Sequence, residues 1–212
     1  MSNKFELRVA ELMCSRLCHD LISPISAFNN GVELLNEGNN GEFQDSLALI
    51  KSSAKQAVDR LSYFRIAFGA GGVGEVLLWK EIQTPLKNFI AERGIDIIWN
   101  SEHGGHSKEI PKLLGRLLLR LVHLATECLP RGGIVLIDNL GDDEFNSIEV
   151  KLEGPNCILR DDIRSGLQPN LSIDELSVRN IVAYLTASLA ASLEKSLEVK
   201  EEPPEKIVIS IL

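Results

Sequence analysis

The first third of the chain carries two long amphipathic patterns with a turn-forming segment between them. Apolar or small residues recur every three or four positions, the spacing that places side chains on one face of a helix. In the first pattern they are Leu7, Ala10, Cys14, Leu17, Leu21, Ile25, Phe28, Val32 and Leu35. Glycine and asparagine fill 38–41, and a second pattern of the same kind runs from about residue 42 to residue 68. The sequence therefore predicts an antiparallel helical hairpin over residues 1–70.

A hairpin of two helices cannot enclose a core, because each helix has only one neighbour to cover its apolar face. Pairing of two hairpins into a four-helix bundle would cover both faces. We therefore expect a homodimer.

From residue 75 onward the pattern changes to alternating strands and helices. Runs of branched and aromatic residues predict strands, at 75–79, 95–99, 134–138, 147–152, 196–200 and 206–211. Start and stop residues predict three helices: from Pro85, capped by Thr84, to Gly94; from Pro111 to Leu129; and from the Ser172–Glu175 capping box to about Leu193. The glycine-rich segment 69–74 is typical of a linker. The prediction is an α+β chain whose second domain, residues 75–212, is an α/β two-layer sandwich.

Composition and charge narrow the classes of function. The net charge of −8 argues against nucleic-acid binding, which needs concentrated Lys and Arg. No apolar stretch approaches the length of about 20 residues that spans a bilayer. The N-terminal residues carry charges where a signal peptide would be apolar, and four cysteines are too few and scattered for a disulfide framework. These features predict a cytoplasmic protein that binds neither nucleic acid nor a membrane.

The candidate chemistry lies at His19. On a helical wheel His19 lies opposite Leu17 and Leu21, so its ring should face solvent. An imidazole nitrogen is a good nucleophile towards phosphorus near neutral pH. Asp20 could accept the proton of the other ring nitrogen, and Ser23, one turn on, could orient a phosphoryl group. We take His19, Asp20 and Ser23 as the candidate catalytic residues.

Pro24 strengthens this assignment. Proline inside a helix costs about 3 kcal/mol and removes one backbone hydrogen bond, so the helix should bend just past the histidine. A surface histidine followed by aspartate is otherwise common and usually has no function.

Other candidate sites are weaker. Cys14, Cys18 and His19 have a spacing that could hold a metal, but no fourth ligand is evident, so we assign no metal site. His103 and His106 lie in an expected exposed loop, and His123 is typical of a satisfied core residue.

The segment His19-Asp20-Leu21-Ile22-Ser23-Pro24-Ile25 resembles the H-box of sensor histidine kinases, His-Glu/Asp-Leu-x-x-Pro followed by an apolar residue. The whole first part is similar to the dimerisation and histidine-phosphotransfer hairpin of that family. The order of elements in the second part is similar to the kinase ATP-binding domain.

The nucleotide-binding elements of the kinases are missing. Alignment on the turn Pro130–Gly133 places Arg120 and Leu124 where kinases keep two asparagines that bind metal and phosphate. The Asp-x-Gly-x-Gly motif is replaced by a segment that begins at Leu152 and ends at Asn156, and the lid at 176–180 contains no glycine. We therefore expect a degenerate ATPase-like domain that does not bind ATP.

An intact H-box beside a degenerate nucleotide domain resembles the histidine phosphotransferases of the alphaproteobacterial cell-cycle phosphorelay. The likeness includes Asn29–Leu35 and the turn Leu129–Gly133. It implies that a phosphoryl group passes through His19 from the receiver domain of a hybrid kinase to receivers of CtrA-like and CpdR-like regulators. It also implies no cofactor bound by this chain, with Mg²⁺ held by the partner receiver domain. The implied receiver-docking residues are Leu12, Ser15, Arg16, Ile22, Ser26 and Asn30.

Two alternatives stay open at this point. The chain could be an ATP-dependent sensor kinase core, or a dimeric adaptor that binds receivers without chemistry. The sequence also leaves open whether the second domain docks the receiver or only stabilises the dimer.

Overall fold

A computed structural model describes residues 2–37, 43–69, 75–99, 109–139, 147–168, 171–202 and 205–212. The predicted linker and domain boundary at 70–74, the turn at 38–41, and His103 and His106 lie outside these residues.

The N-terminal helical hairpin is confirmed. Helix α1 spans Ser2–Asn36 and continues through Pro24, and helix α2 spans Phe43–Ala67. The two helices pack along each other, and Ser46 and Ser53 of α2 are buried.

The rest of the chain forms a mixed α/β unit, which confirms the α+β class. Its elements in chain order are β1 Val76–Leu78, α3 Trp79–Ile90, β2 Ile95–Trp99, β3 Glu109–Pro111, α4 Lys112–Cys128, β4 Gly133–Asn139, β5 Ile148–Glu153, α5 Asp161–Gly166, a 3-10 helix Ile173–Glu175, α6 Ile181–Ser192, β6 Leu197–Glu202 and β7 Lys206–Ile211.

The main sheet has the strand order β2-β4-β5-β7-β6. Strands β2 and β4 are parallel and joined through α4, and the other neighbours are antiparallel. Burial alternates along β5, where Ile148, Val150 and Leu152 face the helices. A separate pair, β1 with β3, is antiparallel and places Leu77 opposite Ile110.

Two helix starts differ from the sequence prediction. Helix α3 begins at Trp79, because Glu81 accepts a hydrogen bond from the backbone N–H of Leu78 at 2.8 Å and caps the first turn, and Pro85 lies inside the helix. The Ser172–Glu175 pair caps only the short 3-10 helix, and α6 starts at Ile181. The strand β3 and the helix α5 were not predicted, since each is too short for a periodic signal.

The hairpin and the α/β unit share one continuous core. The ring of Tyr63 from α2 stacks on Phe89 from α3, with centroids 3.9 Å apart, and its hydroxyl donates to the carbonyl of Leu119 in α4. Tyr63 and Ala67 are completely buried. Because the end of α2 is part of the second unit's core, the two parts hold a defined relative position.

Candidate active site

His19 lies on an exposed surface of α1, as predicted. Its side chain is 76% exposed. Ser23, Ser26 and Asn30 are also exposed. A partner protein can therefore approach the ring.

The orientation of the His19 ring is set by the next residue. Its Nδ1 lies 3.1 Å from Oδ1 of Asp20. A carboxylate only accepts hydrogen bonds, so in the neutral ring Nδ1 carries the hydrogen and the lone pair lies on Nε2. The structure therefore brings His19 and Asp20 together, with Nδ1 of the ring at the carboxylate.

Asp20 is held as an anion although its side chain is only 10% exposed. Burial opposes its ionisation, but the charge of Arg16, the hydrogen bond with His19 and the charge of His123 outweigh burial and lower the pKa of Asp20. Arg16 Nε donates to Asp20 Oδ2 at 3.0 Å. The carboxylate therefore contacts His19 with one oxygen and Arg16 with the other.

Arg16 also joins the hairpin to the α/β unit. Its guanidinium donates to the carboxylate of Glu127 at the end of α4 and lies 3.5 Å from the carbonyl oxygen of Val178. His123, one turn before Glu127, places Nε2 3.4 Å from the Arg16 guanidinium and 4.0 Å from Asp20 Oδ2. We call Arg16, Asp20, His123 and Glu127 the charge cluster.

The buried carboxylate of Glu127 is also ionised. Burial opposes ionisation, but hydrogen bonding and charge from His123, followed by the charge of Arg16, lower the pKa of Glu127. Burial likewise disfavours the cation of Arg16, yet Glu127 and Asp20 raise its pKa overall. Arg16, Asp20 and Glu127 of the charge cluster are therefore mutually stabilised ions.

Helix α1 continues through Pro24, and α2 supplies a donor at this point. Proline has no N–H, so it leaves the carbonyl of Asp20 without its intrahelical partner. The guanidinium of Arg60 donates to this carbonyl. The backbone next to His19 is thereby bonded to the second helix.

The predicted docking residues divide into two groups. Ser15, Ile22, Ser26 and Asn30 are exposed around His19, and we call these four the docking face. Leu12 is a wrong prediction, because it is 5% exposed and belongs to the core. Arg16 needs correction too, since its side chain is 14% exposed and its guanidinium is occupied by Asp20 and Glu127.

A cleft of about 720 Å³ opens beside His19, between the hairpin and the α/β unit. Its other lining residues are Arg16, Glu127, Arg160, Asp162, Val178 and Arg179. Glu127, Arg160 and Arg179 are not among the residues that the sequence predicts for the site. The only local signals were the spacings of four between Arg16 and Asp20 and between His123 and Glu127, which put each pair on one helix face.

The family profile described as "Histidine phosphotransferase C-terminal domain" matches residues 79–205. The chain belongs to the histidine phosphotransferase family. It is 35% identical over 187 residues to "Protein phosphotransferase ChpT" of Brucella abortus (strain 2308), a match that covers 85% of this chain and 86% of that protein. It also superposes on the solved "1.7 Angstrom Structure of a Bacterial Phosphotransferase" with a TM-score of 0.79 and 29% identity, covering 97% of this chain and 96% of that one.

In this histidine phosphotransferase the positions of the kinase asparagines have structural roles. Arg120 donates to the carbonyl of Ala67 at 2.8 Å and to that of Leu185 at 2.7 Å, and its guanidinium lies 5.1 Å from the centroid of the Phe68 ring. Burial and the nearby Arg116 lower the pKa of Arg120 to about 10. Leu124, one turn on, is completely buried.

The segment Leu152–Asn156 has a structural role as well. Leu152 is completely buried in β5. A Cβ atom on Gly154 would lie 2.5 Å from the carbonyl oxygen of Gly132, so glycine is needed there for a close approach of two backbones. Asn156 adopts a left-handed conformation with φ of 57°, which asparagine tolerates better than most residues.

Among the described residues, no helix combines the length and apolar character needed to cross a bilayer.

Proposed function

We propose that this phosphotransferase carries phosphoryl groups on Nε2 of His19 and passes them between receiver domains without using ATP. The exposed ring of His19, with Nδ1 oriented by Asp20, is the observation that carries the proposal. Family membership supplies phosphotransfer as the reaction.

The chemistry needs two groups on this chain. The Nε2 lone pair attacks the phosphorus of a receiver aspartyl phosphate, the new N–P bond forms, and the P–O bond to the receiver carboxylate breaks. The hydrogen stays on Nδ1, where the Asp20 carboxylate stabilises the positive charge that develops on the ring. The reverse sequence then delivers the phosphoryl group to a carboxylate of the next receiver.

The donor and acceptor are the receiver domain of a hybrid histidine kinase and the receivers of CtrA-like and CpdR-like response regulators. Mg²⁺ is held by carboxylates of the receiver, and this chain binds no cofactor. The receiver contacts the docking face, where Ile22 is 60% exposed beside smaller polar side chains. Ser23 lies one turn beyond His19 and is placed to hydrogen-bond the transferred group.

The proposal excludes ATP as the phosphoryl donor. Three residues support the exclusion of ATP. At positions where kinases bind the nucleotide, Leu124 and Leu152 are buried apolar side chains, and Arg120 is hydrogen-bonded to a backbone carbonyl.

The functional unit is a homodimer built on the hairpin. Both helices expose large apolar side chains along their length, each between 40% and 61% exposed. They are Leu7, Ile25 and Phe28 of α1 and Phe43, Val58 and Leu61 of α2, which we call the apolar stripe. A second hairpin would cover this stripe in a four-helix bundle and remove it from water.

Transfer from a phosphorylated receiver domain tests the proposal directly. The wild-type chain should acquire an acid-labile label, and His19→Ala should not. Ser52→Ala, at an exposed position of α2, serves as the control and should be labelled like the wild type. A labelled His19→Ala variant would contradict the assignment of the carrier.

Different results would favour the two alternatives, a receiver-binding adaptor and an ATP-dependent kinase core. Receiver binding without transfer, unchanged in His19→Ala, would establish an adaptor instead. Calorimetric binding of ATP at micromolar concentration would favour a kinase core and contradict the exclusion of ATP.

A further inference from the structure

The α/β unit contributes a buried carboxylate to the surroundings of His19. Glu127 lies at the end of α4, and its side chain is 7% exposed. Its carboxylate accepts from Arg16 and lies near His123, with 3.7 Å between Oε1 and His123 Nε2. Glu127 therefore contacts α1 one turn before the active histidine.

Arg16 would be poorly fixed without this contact. An isolated i, i+4 pair such as Arg16–Asp20 stabilises a helix only weakly. Here the guanidinium is enclosed by two carboxylates and the carbonyl of Val178, and its side chain is 14% exposed. Loss of one partner from such a buried cluster leaves an uncompensated charge, which is strongly unfavourable.

Asp20 transmits the position of Arg16 to His19. One carboxylate oxygen receives Arg16 Nε at 3.0 Å and the other contacts His19 Nδ1 at 3.1 Å. Rotation of the carboxylate to follow a displaced Arg16 would move the acceptor away from Nδ1. Within the part of the chain that the structure describes, Asp20 is the hydrogen-bond partner of the His19 ring, whose side chain is 76% exposed.

We infer that Glu127 is a positioning residue for phosphotransfer: through Arg16 it fixes Asp20, which keeps the hydrogen of His19 on Nδ1 and presents Nε2 to the receiver. The inference rests on the proposed function. It gives the α/β unit a role besides docking a receiver or stabilising a dimer. Through Glu127 the unit orients the ring of His19.

The test compares Glu127→Met, which keeps the side-chain length and removes the acceptor, with Glu127→Gln, which keeps one neutral acceptor oxygen. Glu201→Gln is the matched control, because Glu201 also accepts from an arginine, Arg164, but lies outside the charge cluster. Two quantities are measured on the full chain: the tautomer of neutral His19 by ¹⁵N NMR of labelled histidine, and the saturating rate and KM of transfer from a phosphorylated receiver.

In the wild type the Nδ1–H tautomer of His19 should predominate. In Glu127→Met it should give way to a mixture, and the saturating transfer rate should fall roughly tenfold to a hundredfold with KM little changed, since misplaced reacting groups slow the step after binding. The tautomer population and transfer rate of Glu127→Gln should lie between those of the wild type and Glu127→Met, because a neutral hydrogen bond is about half as strong as a charge-assisted one. Glu201→Gln should match the wild type.

A folded Glu127→Met with wild-type tautomer and rate would overturn the inference. If Glu127→Met does not fold, as judged by its thermal transition, Glu127→Gln decides, and an unchanged tautomer and rate in that variant would overturn it equally. In both of these outcomes the wild-type chain still takes the label, so the proposed function is not contradicted. A wild-type chain that takes no label contradicts the proposed function itself, and the inference falls with it.

Discussion

The guanidinium of Arg60 in α2 donates a hydrogen bond to the carbonyl oxygen of Asp20 in α1. This carbonyl is the one that Pro24 deprives of its helical partner. The same residue thus contacts His19 through its side chain and α2 through its backbone. The segment that carries His19 is therefore bonded to α2 at the carbonyl that Pro24 leaves without a helical donor.

Arg60→Ala should lower the free energy of unfolding by about 1–3 kcal/mol, the cost of leaving a largely enclosed carbonyl without a donor. The same substitution in a Pro24→Ala background should cost less, because alanine supplies the missing N–H. Urea unfolding of the two single variants and the double variant gives the coupling energy. An equal cost in both backgrounds would show that Arg60 acts elsewhere.

Asp20→Asn should slow transfer by roughly a hundredfold, within the range usual for loss of a group that assists proton placement. The amide can turn its own N–H towards Nδ1 and favour the wrong tautomer of His19. Receiver affinity, measured by calorimetry, should stay near the wild-type value. Asp59→Asn, which removes a carboxylate of the hairpin that pairs with Lys55, is the control and should transfer normally.

The charge cluster should make stability depend on acid pH. The pKa values of Asp20 and Glu127 are lowered in the folded chain, so their contribution is complete above the unfolded pKa values of about 4. It is lost as pH falls through the lower folded values, because protons then bind the unfolded state first and the folded state afterwards.

Urea midpoints measured from pH 7 down to pH 3 should therefore fall less steeply in Glu127→Gln than in the wild type. Parallel curves for the two proteins would show that Glu127 is not an ion in the folded state.

Leu61→Glu should convert the dimer to a monomer. It places a charge on the apolar stripe, at a side chain that is 52% exposed in the single chain and buried in the proposed bundle. Ala48→Glu introduces the same charge at an exposed position on a different side of α2. Sedimentation at micromolar concentration should find a monomer for the first variant and a dimer for the second. If both variants are dimers, or if the wild type is a monomer, the proposed bundle is contradicted.

Thiol labelling gives an independent test of the same interface. Cys14 and Cys18 are exposed in the single chain and lie on the same side of α1 as Leu7 and Ile25. An alkylating reagent at pH 8 should modify them slowly in the dimer and quickly in Leu61→Glu. Burial raises the pKa of Cys128 to about 12, so this thiol should react only after unfolding.

Periodic patterns in the sequence predicted the two hairpin helices and most strands of the main sheet. The three-to-four spacing predicted both hairpin helices, and the branched runs predicted β2, β4, β5, β6 and β7. The starts of α3 and α6 were misplaced. Proline and capping residues indicate where a helix can begin. The observed start depends on which turn packs against the core and has its free backbone N–H groups bonded, as Glu81 bonds the N–H of Leu78 at the start of α3.

The amino-acid sequence by itself determined that His19 is exposed and lies beside a carboxylate. Its exposure follows from its place on the helix, and the contact with Asp20 is between neighbours in the chain. Only the tertiary structure decided what holds that pair. Glu127 lies 111 residues from Arg16, and the burial of Leu12 depends on the α/β unit packing against α1. Helical periodicity describes one element at a time, so it cannot say which of its faces will meet another element or which distant carboxylate will neutralise a buried arginine.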